Sequence, residues 1–159
     1  MIRFRAGFIA IACIVTGACD QLPTLVPASS EFRNAPEEVS LGGASIQLDT
    51  YLWRDFQPIA PPDGKPLVAA LRIHTVDGGS ISATLHADSV WILSGDLAWA
   101  AALVEERPRE SGASFFDVVA REGPKWGPGI DVDVVVGLRD AAGHRVLLQA
   151  RRQPIHRTD

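Results

Sequence analysis

From residue 41 to the C-terminus, apolar and polar residues alternate along much of the chain. Ile46, Leu48 and Leu52 alternate with Gln47, Asp49 and Tyr51, and residues 130–138 have an apolar side chain at every even position. Successive side chains of a β-strand point to opposite faces of its sheet, so a period of two predicts strands with one buried face. This part of the chain is therefore predicted to be built from strands.

Turn residues rich in glycine, proline and aspartate divide the region into about seven predicted strands. The sequence does not decide whether residues 80–87 form a short edge strand or an extended loop. The alanines of residues 97–105 also suit a helix, but their alternation after the tight Gly95-Asp96 turn favours a strand. The predicted strands lie within residues 41–52, 67–76, 89–93, 97–105, 115–121, 130–139 and 145–151.

Strands of this number and spacing predict an all-β domain over residues 41–155, with the architecture of an antiparallel, immunoglobulin-like sandwich. Immunoglobulin domains themselves add a disulfide and a tyrosine corner. This sequence has no cysteine after Cys19, and its single tyrosine, Tyr51, lies in the first predicted strand. The resemblance is therefore to the broad architecture without a disulfide, and a fold at this level does not determine function.

The strict alternation of residues 130–138 also predicts which side chains form the core. Its even positions are expected to line the middle of the sandwich, facing Leu71, Ile73 and Val119. Trp91, in the third predicted strand, is the candidate for a tryptophan packed in that core.

Residues 20–40 have a different composition. They contain three prolines and the Ser29-Ser30 pair, and their apolar residues show no period. Such a segment does not bury enough apolar surface to fold independently. Residues 19–40 are therefore predicted to form a flexible tether that precedes the domain.

The first 19 residues have the layout of an export signal. Arg3 and Arg5 form a basic head, residues 6–17 carry no charge, and Ala18 precedes Cys19. The apolar run is about a dozen residues, whereas a membrane-spanning helix needs about 20. Residues 1–18 are thus predicted to be a cleaved signal peptide, with cleavage between Ala18 and Cys19.

The segment Val15-Thr16-Gly17-Ala18-Cys19 resembles the lipobox of bacterial lipoproteins. This resemblance implies that Cys19 is lipidated and anchors the protein to a membrane of the cell envelope. The alternative is ordinary cleavage near Ala18 that leaves Cys19 as a free thiol. In enteric lipoproteins Asp after the cysteine retains the protein at the inner membrane, so Asp20 implies its periplasmic face, with the outer membrane as the alternative.

Charge and cysteine content argue against a nucleic-acid-binding protein and against a domain stabilised by disulfides. Loss of Arg3 and Arg5 from the 15 basic residues leaves 13 against 19 acidic ones, a net charge near −6. An acidic chain lacks the basic patch that nucleic-acid binding requires, so no nucleic-acid partner is expected. Because Cys13 leaves with the signal and Cys19 carries lipid, the domain must be stabilised by its apolar core.

No residue pattern predicts a catalytic site, a metal site or a cofactor. No serine lies in a GxSxG motif, and the histidines lack the HxxxH or CxxC spacing of metal ligands. A small hydrolytic or metal-binding protein would require any three of His74, His86, His144 and the outward aspartates to converge. A sandwich that inhibits proteases or acts as a chaperone is a further alternative, which an open edge strand or a protruding rigid loop would favour.

Two loops are expected to share one end of the domain, because loops between up-and-down strands alternate between the ends. These are residues 54–66, which follow Trp53, and residues 122–129, which contain Trp126. Trp126, among glycines and prolines, is interpreted first as a plug for the core and second as an exposed contact. The predicted recognition surface is Trp53, Arg54, Asp55, Lys65, Lys125 and Trp126.

The favoured function is therefore a lipid-anchored lipoprotein of the cell envelope with a non-catalytic binding or structural domain. Its expected partners are the membrane, through the lipid, and a protein that the sequence does not identify.

Overall fold

The computed structural model describes residues 22–159. These residues form nine strands and one four-residue helix, so the prediction of an all-β fold is confirmed. The signal peptide and Cys19 lie outside the described residues. The elements are β1 Leu25–Pro27, α1 Ser30–Arg33, β2 Val39–Leu41, β3 Ala44–Asp55, β4 Leu67–Thr75, β5 His86–Ser94, β6 Leu97–Ala102, β7 Phe115–Gly123, β8 Asp131–Arg139 and β9 Arg145–Thr158.

Eight of the strands follow one hydrogen-bonded path in the order β1-β6-β5-β8-β9-β3-β4-β7, and β2 pairs with β3. The path curls back toward itself, so that β7 at its end comes close to β6. Val119 of β7 and Val104, just after β6, each donate a backbone N–H to the carbonyl of the other (N···O 3.0 and 3.2 Å). The arrangement is a curled sheet of nine strands and differs from the predicted immunoglobulin-like sandwich of about seven. Residues 80–85 form a loop before β5, and the strand prediction for residues 97–105 is confirmed for β6.

Strand β9 makes the curl possible by changing partners. Its first part pairs antiparallel with β8, and its last four residues pair in parallel with β3. Before this change of partner, at a register shift within the pairing with β8, Arg152 has φ +50°, in the left-handed region that residues other than glycine rarely adopt. The Asp133 carboxylate accepts a hydrogen bond from the Arg152 backbone N–H at 2.9 Å and so stabilises this bend.

The core confirms most of the alternation in β8. The side chains at positions 132, 134, 136 and 138 are almost fully buried and pack in one cluster with Leu71 and Ile73. Two expectations are wrong. Ile130 precedes β8 and is exposed, and Val119 lies on the outer face of β7 while its neighbour Val118 enters the core.

The tryptophan of the core is Trp99 of β6 and not Trp91. Trp99 is buried against Gly123, where an added Cβ would lie 2.6 Å from the indole ring. Trp91 belongs to the opposite face of β5, where it stacks on Phe32 with ring centroids 4.6 Å apart. The core position in β5 belongs to Val90 and Ile92.

The flexible-tether prediction is wrong for the part of residues 19–40 that packs on the sheet. Strand β1 pairs with β6, and Ser29 caps helix α1 by accepting a hydrogen bond from the Phe32 N–H. Phe32 and Ala35 then cover the outer face of β5 and β8. We call residues 25–36 the strap; the packed structure therefore begins well before residue 41.

Within residues 22–159, no helix has the length and apolar character needed to cross a membrane.

Candidate functional site

The two loops predicted to share an end do so, and Arg54 joins them. Its side chain is only 3% exposed and donates from Nε to the carbonyl of Lys65 at 2.9 Å. Its Nη1 donates to the carbonyls of Lys125 and Gly127 at 3.0 and 2.7 Å, and Nη2 donates to that of Asp63. Burial lowers the pKa of Arg54, and the nearby Asp63 charge opposes this effect. We call this arrangement the arginine clamp.

Four other charged residues of this end form two ion pairs. Lys65 contacts Asp55 at 2.9 Å, and Lys125 contacts Asp63 at 2.7 Å. Hydrogen bonds from these lysines lower the pKa values of the two carboxyl groups. Both pairs are partly exposed to solvent, so we expect each to contribute little to stability.

The two tryptophans of the predicted surface lie in different places. Trp126 is half-buried against the core, which fits the plug interpretation. Trp53 alternates with Arg54 and therefore lies on the opposite face of β3, where its ring is 5.3 Å from that of Tyr51. Five of the six predicted residues thus gather at the arginine clamp, and Trp53 does not. Recognition by this end of the domain stays a prediction.

A concave surface lies on the outer face of β3, β4 and β7. It is a cleft of about 980 Å³, bounded on one side by the loop 106–114. Clefts of several hundred cubic ångströms are the usual size for small-ligand sites. We call it the outer cleft; its lining includes Asp49, Tyr51, Arg72, Arg107, Phe115 and Asp117.

The floor of the outer cleft is a row of cross-strand neighbours. Arg72 of β4 lies opposite Asp49 on β3 and Asp117 on β7. Its guanidinium bonds both carboxylate oxygens of Asp117, at 2.8 and 3.0 Å, and lies 4.0 Å from the centre of the Phe115 ring. The hydrogen bond with Asp117 raises the pKa of Arg72, so this residue stays charged. Tyr51 is half-exposed beside this row and stacks on His156 with centroids 5.0 Å apart.

The wall of the outer cleft is held by Arg109. Its guanidinium bonds both carboxylate oxygens of Glu105, at 2.7 and 2.8 Å, and donates to the carbonyl of Ser82 at 3.2 Å. It also lies 3.5 Å from the centre of the Phe116 ring, at the place where the curled sheet comes closest to closing. Bidentate Arg–carboxylate pairs fix geometry well, so these contacts hold the wall in position.

Two of the histidines considered as metal ligands each contact one aspartate. His74 contacts Asp49 at 3.4 Å, and His144 contacts Asp140 at 3.2 Å. Among residues 22–159, no three histidine, cysteine, aspartate or glutamate side chains are grouped closely enough to hold a metal ion.

Sequence reasoning missed the outer cleft, although part of its signal is present. Tyr51 and Trp53 are aromatic residues at polar positions of an alternating strand. The row formed by Asp49, Arg72 and Asp117 depends on the register of three strands, of which only the first two, β3 and β4, are consecutive in the chain.

Comparison with protein-family models, with curated proteins and with solved structures finds no match for this chain.

Proposed function

We propose that this chain is an exported lipoprotein, anchored through Cys19, whose all-β domain is a non-catalytic binding module. Its expected place is the periplasmic face of the inner membrane, with the outer membrane as the alternative. The signal-like layout of residues 1–19 supports export and anchoring. We also propose that the domain is sandwich-like. Inward side chains from both halves of the curled sheet form one core cluster, which supports this description.

The observation that carries the binding role is the outer cleft, where aromatic surface adjoins charges that neutralise one another. Four charged lining residues are in ion pairs, Arg72 with Asp117, Glu106 with Arg121 and Arg109 with Glu105. The remaining ones, Asp49, Arg107 and Glu110, are of mixed sign. Paired charges give no strong field for an ion, but their exposed oxygens and N–H groups still hydrogen-bond to neutral groups. The rings of Tyr51 and Phe115, half and 40% exposed, offer apolar contact. A neutral ligand with both hydroxyl groups and apolar C–H faces, such as a glycan of the cell wall, fits this combination.

The anchoring is tested by the intact mass of the protein purified from bacterial membranes. We expect the mature chain to begin at Cys19 and to carry acyl chains, because several chains hold a protein on a bilayer whereas one is marginal. Cys19→Ser is expected to leave an unlipidated precursor with its signal attached. A mature wild-type chain without added lipid would contradict the anchoring.

The binding role is tested by co-sedimentation of the detergent-solubilised protein with purified peptidoglycan sacculi. We expect Tyr51→Ala and Arg72→Ala each to weaken binding at least fivefold, since one removes the apolar contact and the other the hydrogen-bonding floor. Ile59→Ala is the matched control, because Ile59 is 86% exposed in the loop between β3 and β4, outside the cleft.

Thermal melts of the same proteins would establish that each variant is folded. Soluble glycan fragments should compete with the sacculi for the wild-type protein. Wild-type binding by folded Tyr51→Ala and Arg72→Ala, or competition by stem peptides alone, would contradict the proposed ligand.

A further inference from the structure

Two charge-free segments lie side by side at one edge of the curled sheet. Residues 22–30 and 97–104 contain no acidic or basic side chain. They meet where β1 pairs with β6, and the pairing continues one step further as the Ala100 N–H donates to the carbonyl of Thr24 at 2.9 Å. Strand β1 ends the strand path, so its outer edge has no paired strand among residues 22–159.

This edge is also unusually apolar for a surface in contact with water. Leu22 is 87% exposed, Leu25 is 43% exposed, and Val104 just beyond β6 is 60% exposed. Single exposed apolar residues are common on proteins, but an uncharged edge strand that exposes several of them favours pairing with other chains. A partner that covers this edge would remove its exposed apolar side chains from water.

The length of chain before this edge identifies the partner. Cys19 lies three residues before Leu22, and three extended residues span at most about 10 Å. If Cys19 carries lipid, as the proposed function states, the backbone at Leu22 lies within that distance of the bilayer surface. The anchor and the uncharged edge are therefore at the same place on the domain.

We propose that the surface formed by the exposed side chains of Leu22, Leu25 and Val104, beside the free edge of β1, rests on the lipid bilayer. Transfer of exposed leucine and valine side chains from water to the apolar side of the interface lowers the free energy. Neither segment carries a charged side chain, so residues 22–30 and 97–104 themselves desolvate no charge there. The lipid surface also covers the edge of β1 and prevents it from pairing with another chain.

Site-specific photocrosslinking tests this orientation. Benzoylphenylalanine replaces Leu22 or Val104 in the lipidated protein, which is reconstituted into vesicles of phosphatidylethanolamine and phosphatidylglycerol. We expect illumination to give at least five times more protein–lipid adduct from these two positions than from the same probe at Ile59. The control position is more exposed than Val104 but lies in the loop between β3 and β4.

A second arm separates this inference from the lipidation on which it rests. Unlipidated chain beginning at residue 19 is coupled through the Cys19 thiol to a maleimide lipid, which imposes the same tether length. If the natural protein proves to be unlipidated, the proposed anchoring fails, while this arm still reports which edge faces the bilayer. Equal lipid adducts at Val104 and Ile59, or adducts between two copies of the chain at Leu22 and Val104, would overturn the orientation.

Discussion

Val134→Asp is expected to prevent stable folding of the domain. Val134 is fully buried, and in the middle of β8 it pairs with Ile92 on one side and Ala150 on the other. All three belong to the same apolar cluster, so a carboxylate there has no hydrogen-bond donor to replace water. A buried, unpaired charge costs several kcal/mol, which is comparable with the 5–15 kcal/mol that stabilises a typical domain. Urea melts of the detergent-solubilised protein, followed by tryptophan fluorescence, would measure the loss.

Two neighbouring aspartates provide matched controls for this change. Asp131 is exposed at the start of β8, and Asp131→Ala should change the free energy of unfolding by less than about 0.5 kcal/mol. Sequence alone predicts the same small effect for Asp133→Ala. In the structure, Asp133 accepts a hydrogen bond from the Arg152 N–H. We therefore expect Asp133→Ala to lower the free energy of unfolding by about 1 kcal/mol. A stable Val134→Asp protein together with an unfolded Asp131→Ala protein would mean that β8 faces the other way.

The alternation in β8 was predictable because polar and apolar residues differ clearly between its two faces. Strand β5 lacks this contrast, since Val90, Trp91, Ile92 and Leu93 are all apolar. Either parity fits such a run, so the sequence does not decide whether Trp91 enters the core. The structure decides it through the strap, which buries the second face of β5 beneath Phe32 and so allows both faces to be apolar.

The strap itself was not predictable from local pattern. Its strand β1 has only three residues, and its helix α1 has four, too few to show a period. Contacts distant in sequence hold it, such as the hydrogen bonds from the Arg33 side chain to the carbonyl of Gly95 at 2.6 Å and to Asp96 at 3.3 Å. Composition that is typical of a flexible tether was therefore overridden by tertiary packing.

At the arginine clamp, sequence reasoning placed the residues together but did not show what joins them. Alternation of loops between the two ends of the domain brought Arg54 and Lys125 to one end. The acceptors of the Arg54 side chain are backbone carbonyls, which every residue carries, so no residue type marks them. The outer cleft was missed for a related reason, because the row around Arg72 exists only once three strands have their register.

Arg54→Met is expected to lower the free energy of unfolding by about 3 kcal/mol or more. The change keeps an apolar stem of similar length and removes the guanidinium, which leaves the carbonyls of Asp63, Lys65, Lys125 and Gly127 without their donor. Each buried carbonyl that loses its partner costs about 1–3 kcal/mol, and entry of water at the loops recovers part of that sum. Arg54→Lys is expected to lose nearly as much, because one ammonium group does not reach acceptors spread across two loops.

Arg157→Met is the matched control, since it removes an arginine from the same end of the domain without opening the clamp. Arg157 also lies over the Phe56 ring, at 4.1 Å against 5.0 Å for Arg54, but it is exposed and its ion pair is with Asp159 near the C-terminus. Because an exposed pair contributes about 0–1 kcal/mol, its loss should shift the urea midpoint only slightly. Equal destabilisation by Arg54→Met and Arg157→Met would show that the cation–π contact with Phe56, and not the carbonyl bonds, joins the loops. Destabilisation by Arg54→Met alone would assign that role to the carbonyl bonds, which fix both loops through one buried side chain.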